Sequence, residues 1–291
     1  MSAIKQYIVL SLLCLSAVVA GAVDVVHYPA VWVEADEVSL LASQNSLGVG
    51  GGLGAAYNLR IGPVLVNAGV GVTASYTAFK MSDAHAELPN SVDRDGYAFT
   101  FVYDVQNRRD AVTEYSVSVP LRVGAVFHPV YFLVGADFRV PLAASGKIKA
   151  DITTYGDYPQ FLDPFTGMPE HQYYDGASRS WEAELSPNID VCVSAEVGYV
   201  FGQQMRDTRH MFTLGLFAEY GLMEGYNRTG MPLLTLPEVF RDDNMLAPVA
   251  PSHVVLSETK AVHRLFAGVR FAVIFPMRSR GKFNPCHCIV F

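Results

Sequence analysis

The sequence predicts an all-β fold, an eight-stranded antiparallel transmembrane β-barrel. Three observations predict it. Eight stretches alternate apolar and polar residues with the period of two that places side chains on opposite faces of a strand. The connections alternate as well: Ile61-Gly62-Pro63, Phe127-His128-Pro129 and Gln203–Arg209 are tight turns, whereas three of the intervening segments run to dozens of polar residues. Hydrophobic residues make up 51% of the chain, yet beyond the N-terminus no segment has the roughly 20 consecutive apolar residues of a membrane-crossing helix. Short turns at one end and long loops at the other are the plan of an outer-membrane barrel.

Residues 1–22 read as a secretory signal. Lys5 supplies its positive region, Tyr7–Val19 its apolar region, and Ala20-Gly21-Ala22 a small-residue cleavage site. Cys14 raises a lipoprotein alternative, which the bulky Leu13 before it fits poorly. Residues 23–275 form the barrel and 276–291 a basic periplasmic tail.

Strand 1 is predicted over Val31–Ala42. Val31, Val33 and Ala35 alternate with Trp32, Glu34 and Asp36, and the phase then blurs from Glu37 to Leu41, as a bulge would make it. Without strand 1 the count is odd and the chain cannot return to its starting side. Strand 2 sets Leu47, Val49, Leu53 and Tyr57 against Gly48, Gly50, Gly52, Gly54 and Asn58. Strand 3 sets Val64, Val66, Val70 and Val72 against Asn67, Gly71, Thr73 and Ser75. Strand 4, over Ala111–Val126, opposes Tyr115, Val117 and Leu121 to Glu114, Ser116 and Arg122. Strand 5 opposes Phe132, Val134, Phe138 and Val140 to Gly135, Asp137 and Arg139. Strand 6 opposes Val191, Val193 and Val197 to Asp190, Ser194 and Glu196. Strand 7 opposes Phe212, Leu214 and Leu216 to Thr213, Gly215 and Glu219. Strand 8 opposes Leu265, Val269, Phe271 and Val273 to Arg264, Gly268 and Arg270.

The apolar face is assigned to the outside. The stretches exceed the usual soluble strand of ~5–6 residues, and glycine on the polar face suits a narrow lumen. Tyr57, Tyr76, Tyr115, Tyr199, Phe201, Tyr220 and Phe275 lie near strand ends, where membrane barrels carry aromatic girdles. A soluble lipocalin-like barrel with its apolar face inside is the alternative. On the membrane assignment Val70 faces lipid, and Gly71 faces a lumen that would tolerate serine.

Counting up from the turns puts Arg122, Asp137, Glu196 and Arg270 at one height, with Glu34 and Asp36 joining them. Glu114, Arg139, Asp190, Glu219 and Arg264 form a second tier. Mixed sign predicts an ion-paired plug, since an unpaired buried charge is costly; a gated pore is the other reading. The exterior receives Ser43–Ser46, Lys80–Asp110, Gly146–Asn188 and Glu224–Glu258 as loops. Within them Asp151–Glu184 is acidic and holds Tyr155, Tyr158, Tyr173 and Tyr174, a composition suited to an exposed binding surface.

These residues resemble the small outer-membrane β-barrel domain family of Gram-negative bacteria, of OmpA/OmpX type. The resemblance spans Val31–Phe275 and rests on the glycine-rich second strand, on Glu114–Leu121 and on Gly135–Leu142. Gly268, Phe271, Val273 and Phe275 are similar to the signal read by the barrel-assembly machinery, although Phe275 is not the last residue. The resemblance implies residence in the outer membrane among lipid and lipopolysaccharide. It does not extend to the peptidoglycan-binding domain that many members carry.

The net charge of −7 argues against nucleic acid as a partner. Ser252-His253, Ser257 with His263, and the isolated His210 do not make a nucleophile–base set, and the tail's Cys286-His287-Cys288 falls short of the usual four metal ligands. No cofactor or metal is implied. The chain reads as a non-enzymatic barrel with a structural or adhesive role toward an unidentified extracellular ligand. A small gated, porin-like pore is the second reading and a lipid-modifying enzyme the third.

Overall fold

The computed structural model describes residues 25–42, 44, 46–92, 95–158, 175–201, 211–235, 250–258 and 260–275. The segment expected as a leader, the turn Gln203–Arg209 and the tail with Cys286 and Cys288 lie outside the described residues.

The barrel wall contains β1 (Val25–Leu41), β2 (Ser46–Ile61), β3 (Val64–Lys80), β5 (Ala98–Phe127), β6 (Val130–Asp157), β8 (Asp190–Phe201), β9 (Met211–Gly221) and β12 (His263–Ile274). Beyond it lie β4 (Ala84–Val92), β7 (Asp175–Glu184), the short β10 (Leu234–Thr235) and β11 (Ala250–Pro251), and one helical turn, α1 (Val254–Ser257). The wall strands pair antiparallel in the order β5-β3-β2-β1-β12-β9-β8-β6, and β6 pairs back onto β5. This ring of eight strands leaves no free edge, which is how a sheet satisfies its own backbone all round. The seam joins the first and last strands, with Ala30–Leu41 opposite Ile274–His263.

β1 departs from expectation. It begins at Val25 rather than Val31, and its register against β2 and β12 runs without a bulge. The phase never blurs, because Trp32, Glu34, Asp36, Val38 and Leu40 all point inward and are buried. What changes after Asp36 is the lumen, which turns apolar at Val38 and Leu40.

A larger departure concerns the two long segments expected as loops, Lys80–Asp110 and Gly146–Asn188. Much of each is sheet. β5 runs 30 residues and β6 runs 28, against the roughly 9–11 that cross a membrane. β4 adds to the outer part of β5, and β7 to that of β6. The hairpin therefore continues past the barrel rim as a four-stranded sheet. Two irregularities permit this. The β5–β6 register shifts between Tyr115 and Ser116, where Leu142 is the extra residue, and again between Gln106 and Arg109, where Asn107 takes a positive φ of 51°. The lower shift inverts the phase of β6 and the upper one that of β5. Arg108, Asp110, Val112 and Glu114 are buried below the upper shift; above it Phe99, Phe101, Tyr103 and Val105 are buried in the other phase, and Val102 between them is buried too. Those four pack with Ala150, Ile152 and Tyr158 as a second core outside the barrel. Tyr158, read from sequence as an exposed binding residue, is 4% exposed and stacks on Phe99.

The outer wall is apolar. Leu47, Val49, Leu53, Val70, Leu121, Phe132, Leu216 and Val269 are each 44–67% exposed, and the predicted aromatics are exposed on the same face. Tyr57 marks the turn side. Tyr76 stands opposite Val49, eight residues higher on β2. At ~3.4 Å per residue and ~40° of tilt the two levels are about 21 Å apart, close to the ~25 Å apolar band of membrane barrels.

Candidate functional site

Glycine-rich strands and alternating phase bring charged side chains from six wall strands into the lumen, and every sequence-predicted lumen residue is buried there: Glu34, Glu114, Arg122, Asp137, Arg139, Asp190, Glu196, Glu219, Arg264 and Arg270. Their grouping differs from the two predicted tiers. The lower cluster is built on three arginines. Arg270 Nη1 donates to Glu196 at 2.5 Å, and its Nε and Nη2 donate to Glu34 at 2.9 and 2.5 Å. Arg122 donates to Glu196 at 3.1 Å, Glu219 at 2.9 Å and Ser194 at 3.1 Å. Arg139 donates to Glu219 at 2.6 Å. Glu219 and Arg139, assigned by residue counting to the upper tier, thus belong to the lower. Strand shear offsets equal residue counts on different strands by enough to move them.

Above this lies an apolar layer of Val38, Cys192, Phe217 and Phe266. Arg139 sits over the Phe266 ring at 3.8 Å and Arg270 over Phe217 at 4.4 Å, so the layer also holds guanidinium faces. The upper cluster is Arg264 with Glu114 at 2.9 Å and Asp190 at 3.4 Å, and the Tyr226 hydroxyl donates to Glu114.

Below the lower cluster, Trp32 and Tyr131 cross the lumen. Tyr131 donates to Glu196 at 2.6 Å. The Trp32 indole lies across Gly54 and Gly71, which face each other on β2 and β3. A Cβ on Gly54 would come within 2.5 Å of the ring, and one on Gly71 would also collide with it. The expected tolerance of serine at Gly71 is therefore corrected: the site faces inward but is occupied.

Sequence reasoning missed the closure at the loop end. Arg108 grips Asp110 through two bonds of 2.9 Å, with both side chains buried. From this clasp Arg108 donates to the carbonyls of Leu233 and Ser252, while Asp110 accepts from the Val254 amide at 2.7 Å. The last connection is thereby drawn over the mouth, where Val254, Val255 and Val262 pack on Leu40, Phe79 and Leu185. The signal was present, because the even-numbered inward phase of strand 4 continues unbroken from Ser118 down to Arg108. Asp110→Asn keeps an acceptor but leaves Arg108 without its buried counter-charge. Loss of about 1–3 kcal/mol of local stability is expected, read as faster proteolysis within residues 222–262 of a barrel that stays folded.

The catalytic candidates do not assemble. His253 Nε2 donates to the Ala111 carbonyl at 3.1 Å, and its Nδ1 accepts from the Val255 amide. Burial holds the imidazole below the usual histidine range. Ser257 donates to the His253 carbonyl and His263 contacts the Gly221 carbonyl. His210 lies outside the described residues. Of the strand-8 signal, Phe271 and Phe275 are exposed on the outer wall, and Gly268 packs against Asp36.

Together these features define a closed antiparallel barrel whose interior is ion-paired and capped. No family model matches the chain, and no curated protein matches it. Among solved structures it is similar to the crystal structure of Ail, the attachment invasion locus protein of Yersinia pestis. Identity is 12% and the TM-score 0.27, with 84% of this chain and 97% of that chain covered.

Proposed function

We propose that this is a non-enzymatic outer-membrane barrel of the small-barrel family, which holds a β-sheet outside the cell for adhesive contact. The observation that carries the reading is the continuation of β5 and β6 beyond the apolar belt, with its own buried core and flanking strands. An apolar wall of this extent is stable only against lipid, and the sheet then stands in water on the loop side. Its two edges differ. β4 carries Pro89 and a register shift between Leu88 and Ser91, both of which blunt strand pairing. β7 carries no proline and is exposed along most of its length. The pore reading is weaker, because two salt-bridged levels and the apolar cap stack along one narrow lumen. Cysteine placed at Ser180 on β7 should react with a membrane-impermeant maleimide on intact cells, and cysteine at Pro63 only after lysis. A photo-cross-linker at Ser180 should then capture a defined extracellular partner. Labelling of Pro63 with Ser180 protected would invert the orientation, and channel steps in a planar bilayer would favour the pore.

A further inference from the structure

The lumen changes character below the Arg122–Glu196–Arg270 level. There most of the inward side chains are apolar, among them Trp32, Leu65, Tyr131, Leu133, Val200 and Ile274, and they surround a cavity of about 80 Å³. Membrane-barrel lumens are ordinarily polar. Ala30, Ala56 and Ala272 leave this space open where larger side chains would close it. An apolar cavity that side chains leave unfilled loses dispersion contacts and takes apolar guests readily.

The polar groups within it are mostly spent. Asn67 donates to Asn58 at 2.7 Å, and Asn58 donates to the Tyr28 carbonyl at 3.1 Å. The ceiling arginines are engaged by carboxylates. Arg60 differs. It lines the cavity near the Gly62-Pro63 turn, its Nε donates to the Gly62 carbonyl at 2.8 Å, and its terminal nitrogens have no partner among the described residues. From Arg270 to Ile274 the wall descends four residues, about 10 Å of depth at the usual rise and tilt.

We infer that this turn-side vestibule binds the alkyl chain of a small anionic amphiphile, a medium-chain carboxylate, whose head group pairs with Arg60 at the rim. The chain replaces missing packing against Trp32, Leu65 and Ile274. The carboxylate stays at the wet mouth, where a guanidinium fork matches it, and away from the ceiling, where the acids already outnumber the arginines.

Trp32 is one of only two tryptophans, the other being Trp181 on β7. In a Trp181→Phe background, refolded into phospholipid vesicles, an ω-brominated octanoate should quench Trp32 fluorescence saturably. Ala56→Leu, and independently Ala272→Leu, should abolish the saturable part while the barrel keeps its β-sheet circular dichroism. Arg60→Gln should weaken binding of the carboxylate by up to about fivefold, the worth of a partly exposed ion pair, and leave ω-brominated octanol unaffected. Non-saturating quenching, equal in the cavity-filling variants, would mean partition into the bilayer and overturn the proposal. Carboxylate affinity unchanged by Arg60→Gln would overturn the head-group assignment.

Discussion

Replacing Glu219 with alanine is expected to destabilise the barrel more than any other single removal of a lumen carboxylate, by about 3–5 kcal/mol. Glu219 is 1% exposed and serves three guanidiniums at once: Arg139 at 2.6 Å, Arg122 at 2.9 Å and Arg270 at 3.4 Å. The three do not lose equally. Arg122 retains Glu196 and Asp137, and Arg270 retains Glu34 and Glu196. Arg139 has no other ion pair among the described residues, only a 3.5 Å approach to Thr73 and the Phe266 ring. The cost is therefore that of one buried guanidinium left without a hydrogen-bonded carboxylate. Removing that guanidinium too should recover most of the loss, so Glu219→Ala with Arg139→Met should be more stable than Glu219→Ala alone. Glu196→Ala should cost less, since both of its arginines keep other partners. Urea midpoints of the refolded variants in lipid vesicles decide the order. A Glu219→Ala loss below that of Glu196→Ala, or no recovery in the double variant, would show that the network shares charge more diffusely than its geometry indicates.

The wall and the identity of the buried charges could be read from sequence because both follow from a period of two. A residue's face depends only on parity once the phase is known. Heights are another matter. Glu219 and Arg139 fell into the wrong tier because equal counts from different turns are equal heights only without shear. The length of β5 and β6 was hidden for a related reason. The irregularity at Asn107 inverts parity on β5, so Phe99, Phe101 and Tyr103 look out of phase with Glu114 and Ser116 although one continuous strand carries them. A sequence scan that stops where alternation breaks calls the remainder a loop. Arg108 and Asp110 lay on the near side of that break, in phase, but two charges beside a polar segment read as solvated surface. What buries them is a connection more than a hundred residues later, reaching back to accept and donate their bonds.

Val70→Arg and Gly71→Ser are both expected to impair folding, by separable mechanisms. Val70 is 54% exposed on the outer wall and pairs with Ala55, between the levels of Tyr57 and Tyr76. An arginine there enters the apolar belt two residues, about 5 Å, above the Tyr57 level, so its cost falls below the about 2–4 kcal/mol of the midplane. The penalty belongs to the surroundings, so it should shrink in a thin bilayer or a detergent micelle, where the side chain reaches water. Gly71→Ser should cost about 1–3 kcal/mol through overpacking, because any Cβ at that position collides with the Trp32 indole. That penalty belongs to the interior and should be the same in lipid and detergent. It should also depend on the ring: in a Trp32→Leu background, adding Gly71→Ser should have little further effect on the unfolding midpoint. Cavity formation makes Trp32→Leu destabilising by itself, so the comparison is between the double variant and that single one. If Val70→Arg is equally harmful in lipid and micelle, residue 70 does not face the membrane. If Gly71→Ser stays harmful without the indole, the close approach of β2 and β3 rather than Trp32 is what demands glycine.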